Sequence, residues 1–530
     1  MAEARIAGVP NWFAPPLRGS QSGPCDGRAT GGELQRNEGD TLELDTKDTV
    51  VGGVPKNVTL AVFKNAGVQV IGRVMTVASK YLAFILIFRY FGAERFGEYA
   101  LILTLLSFCE AVLDFGFGDI SVRELCQRPD RARRVLSVLP YAKVLQLLVA
   151  YLLLGTLLVG LRYPEQIVTA GLIAGFELFC VAGILIYRSL FKARLQMERD
   201  VLAEVVSLGV FLALLLVICE RGAGLSALCG ALVASRFVYF LLVYWLGRKR
   251  FDLRQSRWDS DEMRVLFAAA LPVGLSAFLV SLYTSMDVLI LSKFVELREV
   301  GLYAAAYRFV LPLVSLAMSL MVALYPILSH AWTHRRQDLG RYYQQGWDCA
   351  AILAGATFCG VQGGASFLMG LFGAEAVDAD RILRVLDVAI ATMFLSCLIG
   401  PMFVIVGRQW LTFVFGTWGV LANFTLNLLL IPRFSAMGAA WATVLTELSM
   451  TIPSTFVIQR LMGYRLHWSV TVKVGIAVAA AVLLIRETGL WGGFWGGAAA
   501  AALYGAIILM TGAIRPQQVR GFVLSLRGEA

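Results

Sequence analysis

The sequence predicts an all-α polytopic membrane protein of about 14 transmembrane helices, with two parallel six-helix bundles followed by two extra helices. Three observations predict it. The 530 residues are 58% hydrophobic and only 16% charged, with a mean hydropathy of +0.69, whereas soluble chains carry about 25% charged residues. Apolar stretches of about 20 residues, each enough to cross roughly 30 Å of hydrocarbon, recur along the chain. Two segments in the second half echo two in the first. The alternating segments of about ten residues that a transmembrane barrel needs are absent.

Residues 1–55 are rich in Gly, Pro, Asp and Glu and carry no basic n-region followed by an apolar h-region. They read as a disordered cytoplasmic tail or as an upstream extension from a misassigned start. Fourteen spans follow, at about 62–88, 96–118, 137–161, 166–188, 199–219, 224–246, 265–292, 301–328, 346–372, 382–406, 410–431, 437–459, 469–486 and 492–514. The domain reading is a tail over 1–55, a first bundle over 56–250, a second over 265–462, two added helices over 463–515 and a tail over 516–530.

The connecting loops alternate in charge. One set holds Arg123, Arg128, Arg131, Arg133 and Arg134, then Arg188, Lys192, Arg194 and Arg199, then six basic residues from Arg248 to Arg264, then Arg335, Arg336 and Arg341. The other set (RYPE at 162–165, ERGAG at 220–224, RFSAM at 433–437) is nearly bare. By the positive-inside rule the basic loops and both termini are cytoplasmic. That rule also accounts for the net charge of +10, so nucleic acid is not called for as a partner. Nine cysteines, mostly inside apolar runs and without a CxxC, read as small buried hydrophobes rather than disulfides or metal ligands.

RYFGAERFGEYAL (89–101) is echoed by SKFVELREVGLYAAA (292–306), with Gly97, Tyr99 and Ala100 matching Gly301, Tyr303 and Ala304. GLSALCGALVA (224–234) is similarly echoed by AMGAAWATVLT (436–446). Offsets of 204 and 212 residues imply one duplicated unit of six helices. An even number of passes gives both copies the same orientation, an arrangement used by transporters that rock one bundle against the other.

A charge at the bilayer centre costs roughly 2.5–3.5 kcal/mol on insertion scales, so intramembrane charges are the candidate site. Lys80 falls near the midplane of the first helix. Arg73 lies seven residues further in on nearly the same face, where it either joins Lys80 in the cavity or snorkels to the surface. Glu177, Arg236 and Glu447 also fall near the midplane, and Glu177 with Arg236 makes a pair in one alternative. Glu110 lies in the inner third, with Asp114 a solvated helix-end residue beyond it. Asp287 and Arg308, on neighbouring helices, either form a structural salt bridge or serve the substrate. The last two helices hold no deep charge and read as packing or lipid-facing. Without a Walker A motif or a buried His–Asp or Ser–His pair, the chain is expected not to be an enzyme, and no cofactor is implied.

FRYFGAERFGEYALILTLLSFCEAVLDFGFGDISVREL, DVLILSKFVELREVGLYAAAYRFVLPL and GRQWLTFVFGTWGVLANFTLNLLLIPRFSAMGAAWATVLTE together resemble polysaccharide-unit flippases of the multidrug/oligosaccharidyl-lipid/polysaccharide exporter superfamily. The resemblance covers about residues 58–465. Phe91 replaces the usual Leu, and SAMGAA lacks the usual Tyr-Gly before Gly-Ala-Ala. The resemblance implies a V-shaped exporter that carries a polyprenyl-diphosphate-linked saccharide to the outer leaflet of the bacterial cytoplasmic membrane. Membrane lipids, a coupling proton or sodium ion, and glycan polymerase and export machinery are its expected partners. On that reading Lys80, Arg73, Arg236 and Arg308 hold the diphosphate, and Glu110, Glu177, Asp287 and Glu447 serve ion coupling or line the cavity. A cation-coupled multidrug exporter is the alternative, and a membrane glycan polymerase or modifying enzyme is a third.

Overall fold

The computed structural model describes residues 58–127, 129–248 and 257–513. The tails expected at 1–55 and 516–530 lie outside these residues, as does most of the loop joining the two bundles. Eleven helical stretches are long and apolar enough to cross a membrane, and Phe494–Met510 adds a shorter apolar one. Two of the eleven are hairpins. At Gly92 the backbone turns to φ 78° and ψ 175°, a left-handed conformation that glycine adopts without a Cβ penalty. Phe96 then packs on Phe84 with ring centroids 6.2 Å apart, whereas twelve residues of straight helix would separate them by about 18 Å. The second reversal is at Ser435, with φ 54° and ψ −139°. Beyond it, Trp418 Nε1 donates to Ser449 Oγ at 3.2 Å. Both hairpins join passes that the sequence separates by a loop of several residues.

The described chain therefore makes fourteen passes. They are α1 (58–91), α2 (93–127), α3 (Pro129–Gly160), α4 (Glu165–Ala193), α5 (Met197–Arg221), α6 (Leu225–Gly247) and α7 (Ser260–Phe294). The rest are α8 (Leu297–His334), α9 (Arg336–Gly370), α10 (Ala374–Ile405), α11 (410–434), α12 (436–462), α13 (Ser469–Arg486) and α14 (Phe494–Met510). No strand occurs among the described residues. Several helices continue past the expected membrane edge on the basic side. In α9 the polar stretch Arg336–Gly346 is helical, and a hydropathy count alone cannot see it.

Two passes break where proline removes a donor. Pro312 has no N–H to offer the Arg308 carbonyl, and α8 divides into Leu297–Tyr307 and Val310–His334. Pro401 stands in the same relation to Cys397, where α10 divides into Asp380–Ser396 and Ile399–Ile405. The freed Arg308 carbonyl accepts instead from the Tyr81 hydroxyl of α1.

The two halves meet where the sequence repeats. A Cβ on Gly97 would collide with the Leu297 carbonyl oxygen, and one on Gly301 with the Ala93 carbonyl oxygen. Leu297 precedes Gly301 by four residues and Ala93 precedes Gly97 by four, so the contact is reciprocal, as a pseudo-two-fold axis requires. Such small-residue crossings let membrane helices approach backbone to backbone. Around the crossing, Arg298 pairs with Glu375 at 3.0 Å, and Glu375 accepts the Ala93 N–H at 3.2 Å. Lys293 donates to the Leu161 carbonyl at 2.6 Å and lies over the Tyr163 ring. Along the second seam, Ser281 of α7 donates to the Ser107 carbonyl of α2 at 3.3 Å, and Gly274 of α7 packs on the Phe115 backbone.

Helices α13 and α14 pack on α9, as their lack of deep charge suggests. The Gly492 N–H donates to the Gly363 carbonyl at 2.8 Å, and Gly496 and Gly497 lie against Gly363 and Gly364. All eight cysteines among the described residues are free thiols.

Replacing Gly97 or Gly301 with Leu should lower the melting temperature of the detergent-solubilised protein, since overpacking costs about 1–3 kcal/mol. Gly155→Leu, at a site where an added Cβ meets nothing within 4 Å, should leave it unchanged. Equal melting of all three variants would contradict the crossing.

Candidate functional site

The intramembrane charges fall into two clusters of opposite character. The first is built on α1, α2, α4, α5 and α6. Lys80 Nζ is 3.3 Å from Glu204 Oε1, and the two side chains are 44% and 22% exposed. Arg236 Nε is 3.3 Å from Glu177 Oε2, with Glu177 almost fully buried. The pairing of Glu177 with Arg236 is thus realised. Glu110 lies within electrostatic range of both members of that pair, and Arg73 and Arg236 lie within range of Lys80. Arg73 is exposed.

These two pairs differ in permanence. Removing either partner from a buried pair strands the other charge at a cost of about 3–5 kcal/mol, so Glu177 fixes Arg236 in place. The Lys80–Glu204 pair is the more exposed of the two. Glu204 was not singled out from the sequence, because it lies near the expected start of its helix.

Arg308 joins this face from the second half of the chain. Its guanidinium carbon lies 3.9 Å from the Phe84 ring centroid. Among the described residues it has no carboxylate partner, and its buried Nε has no hydrogen-bond partner. Phe84 and Lys80 are four residues apart, hence on one face of α1 and separated by about 6 Å of rise. One stripe of α1 therefore carries Arg73 and Lys80, and holds Arg308 against Phe84. The sequence alternative that pairs Arg308 with Asp287 is not what forms. The break at Pro312 turns Arg308 toward α1, while Asp287 is satisfied elsewhere.

The second cluster lies between α7, α8, α11 and α12. Asp287 is 2% exposed. Its Oδ2 accepts from Tyr303 Oη at 2.7 Å and Thr443 Oγ1 at 3.1 Å, and its Oδ1 from Asn427 Nδ2 at 2.7 Å. Glu447, also buried, accepts from the Tyr283 hydroxyl. Tyr283 and Asp287 are one turn apart on α7, as Thr443 and Glu447 are on α12, so the two carboxyls form successive rungs between the same helices. No Lys or Arg pairs with either among the described residues. Asn427 Oδ1 is buried without a partner, leaving one oxygen beside Asp287 uncommitted.

Two further acids lie outside both clusters. Asp114 accepts the Gly118 N–H at 3.3 Å across the bend of α2. It also lies 3.9 Å from the buried Lys143, so it is a bend-stabilising residue and not only a solvated helix end. Asp387, which the sequence analysis passed over, is fully buried and accepts from Gln362 Nε2 at 3.2 Å. It joins α9 to α10, well apart from the residues of both clusters along the chain.

Among curated proteins no match is found. Among solved structures, the fold is similar to one described as lipid II flippase MurJ in an inward closed conformation, with TM-score 0.72 and 12% identity, covering 86% of this chain and 99% of that one. It is also similar to an inward-facing multidrug resistance MATE family transporter of the MOP superfamily, with TM-score 0.62 and 16% identity over 73% of this chain and 96% of that one. A MATE structure in a bent conformation matches with TM-score 0.52 and 17% identity, covering 78% and 99%. At these identities the likeness establishes the transporter fold. The model of one family, described as polysaccharide biosynthesis protein, matches residues 62–332, half of the sequence. The chain belongs to the polysaccharide biosynthesis protein family.

Proposed function

We propose that the protein flips a polyprenyl-diphosphate-linked oligosaccharide from the inner to the outer leaflet of the bacterial cytoplasmic membrane by alternating access, both termini being cytoplasmic. The observation that carries this reading is Arg308. An unpaired guanidinium is stacked on Phe84, one turn from Lys80, so cations from both halves face one stripe of α1. A partly buried cation without a counter-charge inside a membrane span is costly and is relieved when an anion enters. A lipid diphosphate supplies that charge, and its oxygens suit the planar fork of arginine. Arg308, Lys80 and Arg73 then hold the diphosphate, with Arg236 fixed behind them by Glu177 and Glu110 nearby. In each cycle Lys80 exchanges Glu204 for the substrate. Glycan polymerase and export machinery would receive the product at the outer leaflet.

Asp287, Asn427 and Thr443 offer hard oxygen donors of the kind that hold small cations. The uncommitted Asn427 oxygen fits the same use. Asp287, with Glu447 one rung away, is assigned to coupling sodium or a proton. Two buried acids without basic partners also favour a second reading, a cation-coupled exporter of organic cations, which would need neither Lys80 nor Arg308.

The two readings separate experimentally. Deleting the gene should accumulate lipid-linked saccharide on the inner leaflet, whereas unchanged glycan with new drug sensitivity would support the exporter. Lys80→Ala should reduce saccharide export at least about tenfold, a loss of roughly 1.4 kcal/mol of substrate interaction, without lowering the amount of folded protein. Glu204→Gln should retain export. If it were as inactive as Lys80→Ala, the pair would be a structural strut.

Sodium at about tenfold over its dissociation constant should stabilise the purified protein by roughly 1.4 kcal/mol, read as a rise in melting temperature that Asp287→Asn abolishes. A sodium response that survives the substitution would remove Asp287 from coupling.

A further inference from the structure

We propose that the cavity at the basic end of α8 and α9 binds the headgroup of an anionic phospholipid of the cytoplasmic leaflet. The cavity, of about 320 Å³, is lined by Pro326, Ile327, His330, Ala331, Arg335 and Tyr342. Its walls divide by chemistry. Pro326 and Ile327 are exposed apolar groups on the last turns of a membrane-spanning helix, where acyl chains run. His330, Arg335 and Tyr342 supply donors at the level where headgroups lie. The His330 and His334 rings stack with centroids 4.6 Å apart. The Arg336 guanidinium lies 4.2 Å from the centroid of the Trp332 ring, an aromatic at the depth where indoles anchor helices to the interface.

The basic groups here lack acidic partners. Among the described residues, Arg335, Arg336, His330 and His334 enter no ion pair. Asp338 is the one acid in the first turn of α9, and that turn has no side-chain cap. A loop that merely obeyed the positive-inside rule would spread its arginines over a solvated face. Here Arg335, the His330 imidazole and the Tyr342 phenol line one space beside apolar wall residues, with His334 stacked behind His330 and Arg336 on the adjacent Trp332. Basic pockets between transmembrane helices on the cytoplasmic side recognise anionic headgroups in this manner. The site lies on α8 and α9, apart from Lys80 and Asp287, so its failure would leave the transport reading untouched.

The test is native mass spectrometry of the full chain in detergent with phosphatidylglycerol or phosphatidylcholine. The wild type should retain phosphatidylglycerol in preference to phosphatidylcholine. The double substitution Arg335→Gln with His330→Gln should weaken phosphatidylglycerol retention about fivefold or more, the equivalent of roughly 1 kcal/mol for a lost arginine, with phosphatidylcholine unchanged. Gln337→Glu, at an exposed position beside Arg335, adds a repelling charge and should also weaken retention, which keeps the test readable if the double variant unfolds. Undiminished phosphatidylglycerol retention in a folded double variant, or in Gln337→Glu, would overturn the proposal. Displacement of the lipid by millimolar inorganic phosphate would overturn it in favour of a soluble-phosphate site.

Discussion

The reciprocal contact of Gly97 with Gly301 is the constraint on which the remaining geometry depends. Each glycine admits the carbonyl of the residue four positions before the other, so α2 and α8 touch backbone to backbone. Side chains of ordinary size would hold the helices apart and misplace everything downstream on both. Arg308 follows Gly301 by seven residues, or two turns, and reaches the Phe84 ring of α1 only because the crossing is this close. The same approach lets Tyr81 take the carbonyl that Pro312 frees. The two glycines occupy matching positions of the repeated segment, while Lys80, Asp287 and Arg308 around them have no counterparts in it.

From that geometry follows a division of charge between the halves. Lys80, Arg73, Arg236 and Arg308 gather along α1, partly offset by Glu204, Glu177 and Glu110. Asp287 and Glu447 stand alone between α7 and α12. The two clusters use different physics. The first has a partly exposed ion pair and a guanidinium without a carboxylate partner among the described residues, its buried Nε unbonded. The second is a hydrogen-bond lattice around carboxyls in which the Asn427 amide oxygen is uncommitted. In a protein that alternates between conformations, ligands bias the equilibrium only through contacts that differ between states. The seam of α7 on α2 and the crossing of α8 on α2 are where the two halves touch.

Much of this was legible in the sequence, and what was not has physical causes. Apolar length and loop charge predict the fourteen passes, and the echo of 89–101 in 292–306 marks two corresponding segments without showing that they touch. The similar depth of Glu177 and Arg236 allows their pairing as one alternative, and that alternative is the one that forms. Depth alone does not show azimuth. Asp287 and Arg308 lie at similar depth on neighbouring helices, yet the break at Pro312 sends Arg308 to α1. Tyr303, Asn427 and Thr443 meanwhile enclose Asp287. Tyr283 and Asp287, like Thr443 and Glu447, are spaced by four, a pattern that marks one helix face but not its partner. Glu204 and Asp387 were missed because each lies toward a helix end, where a charge is ordinarily solvated. The helical extension of α9 was missed because hydropathy measures burial in lipid and not helix length.

The most direct test of the account is transbilayer movement in proteoliposomes containing the purified protein and a fluorescent polyprenyl-diphosphate saccharide. The account predicts that the diphosphate-linked lipid becomes accessible on the opposite face, while a polyprenyl glycoside lacking phosphate does not move. Equal movement of the uncharged lipid, or transport of an organic cation with no movement of the diphosphate, would contradict it.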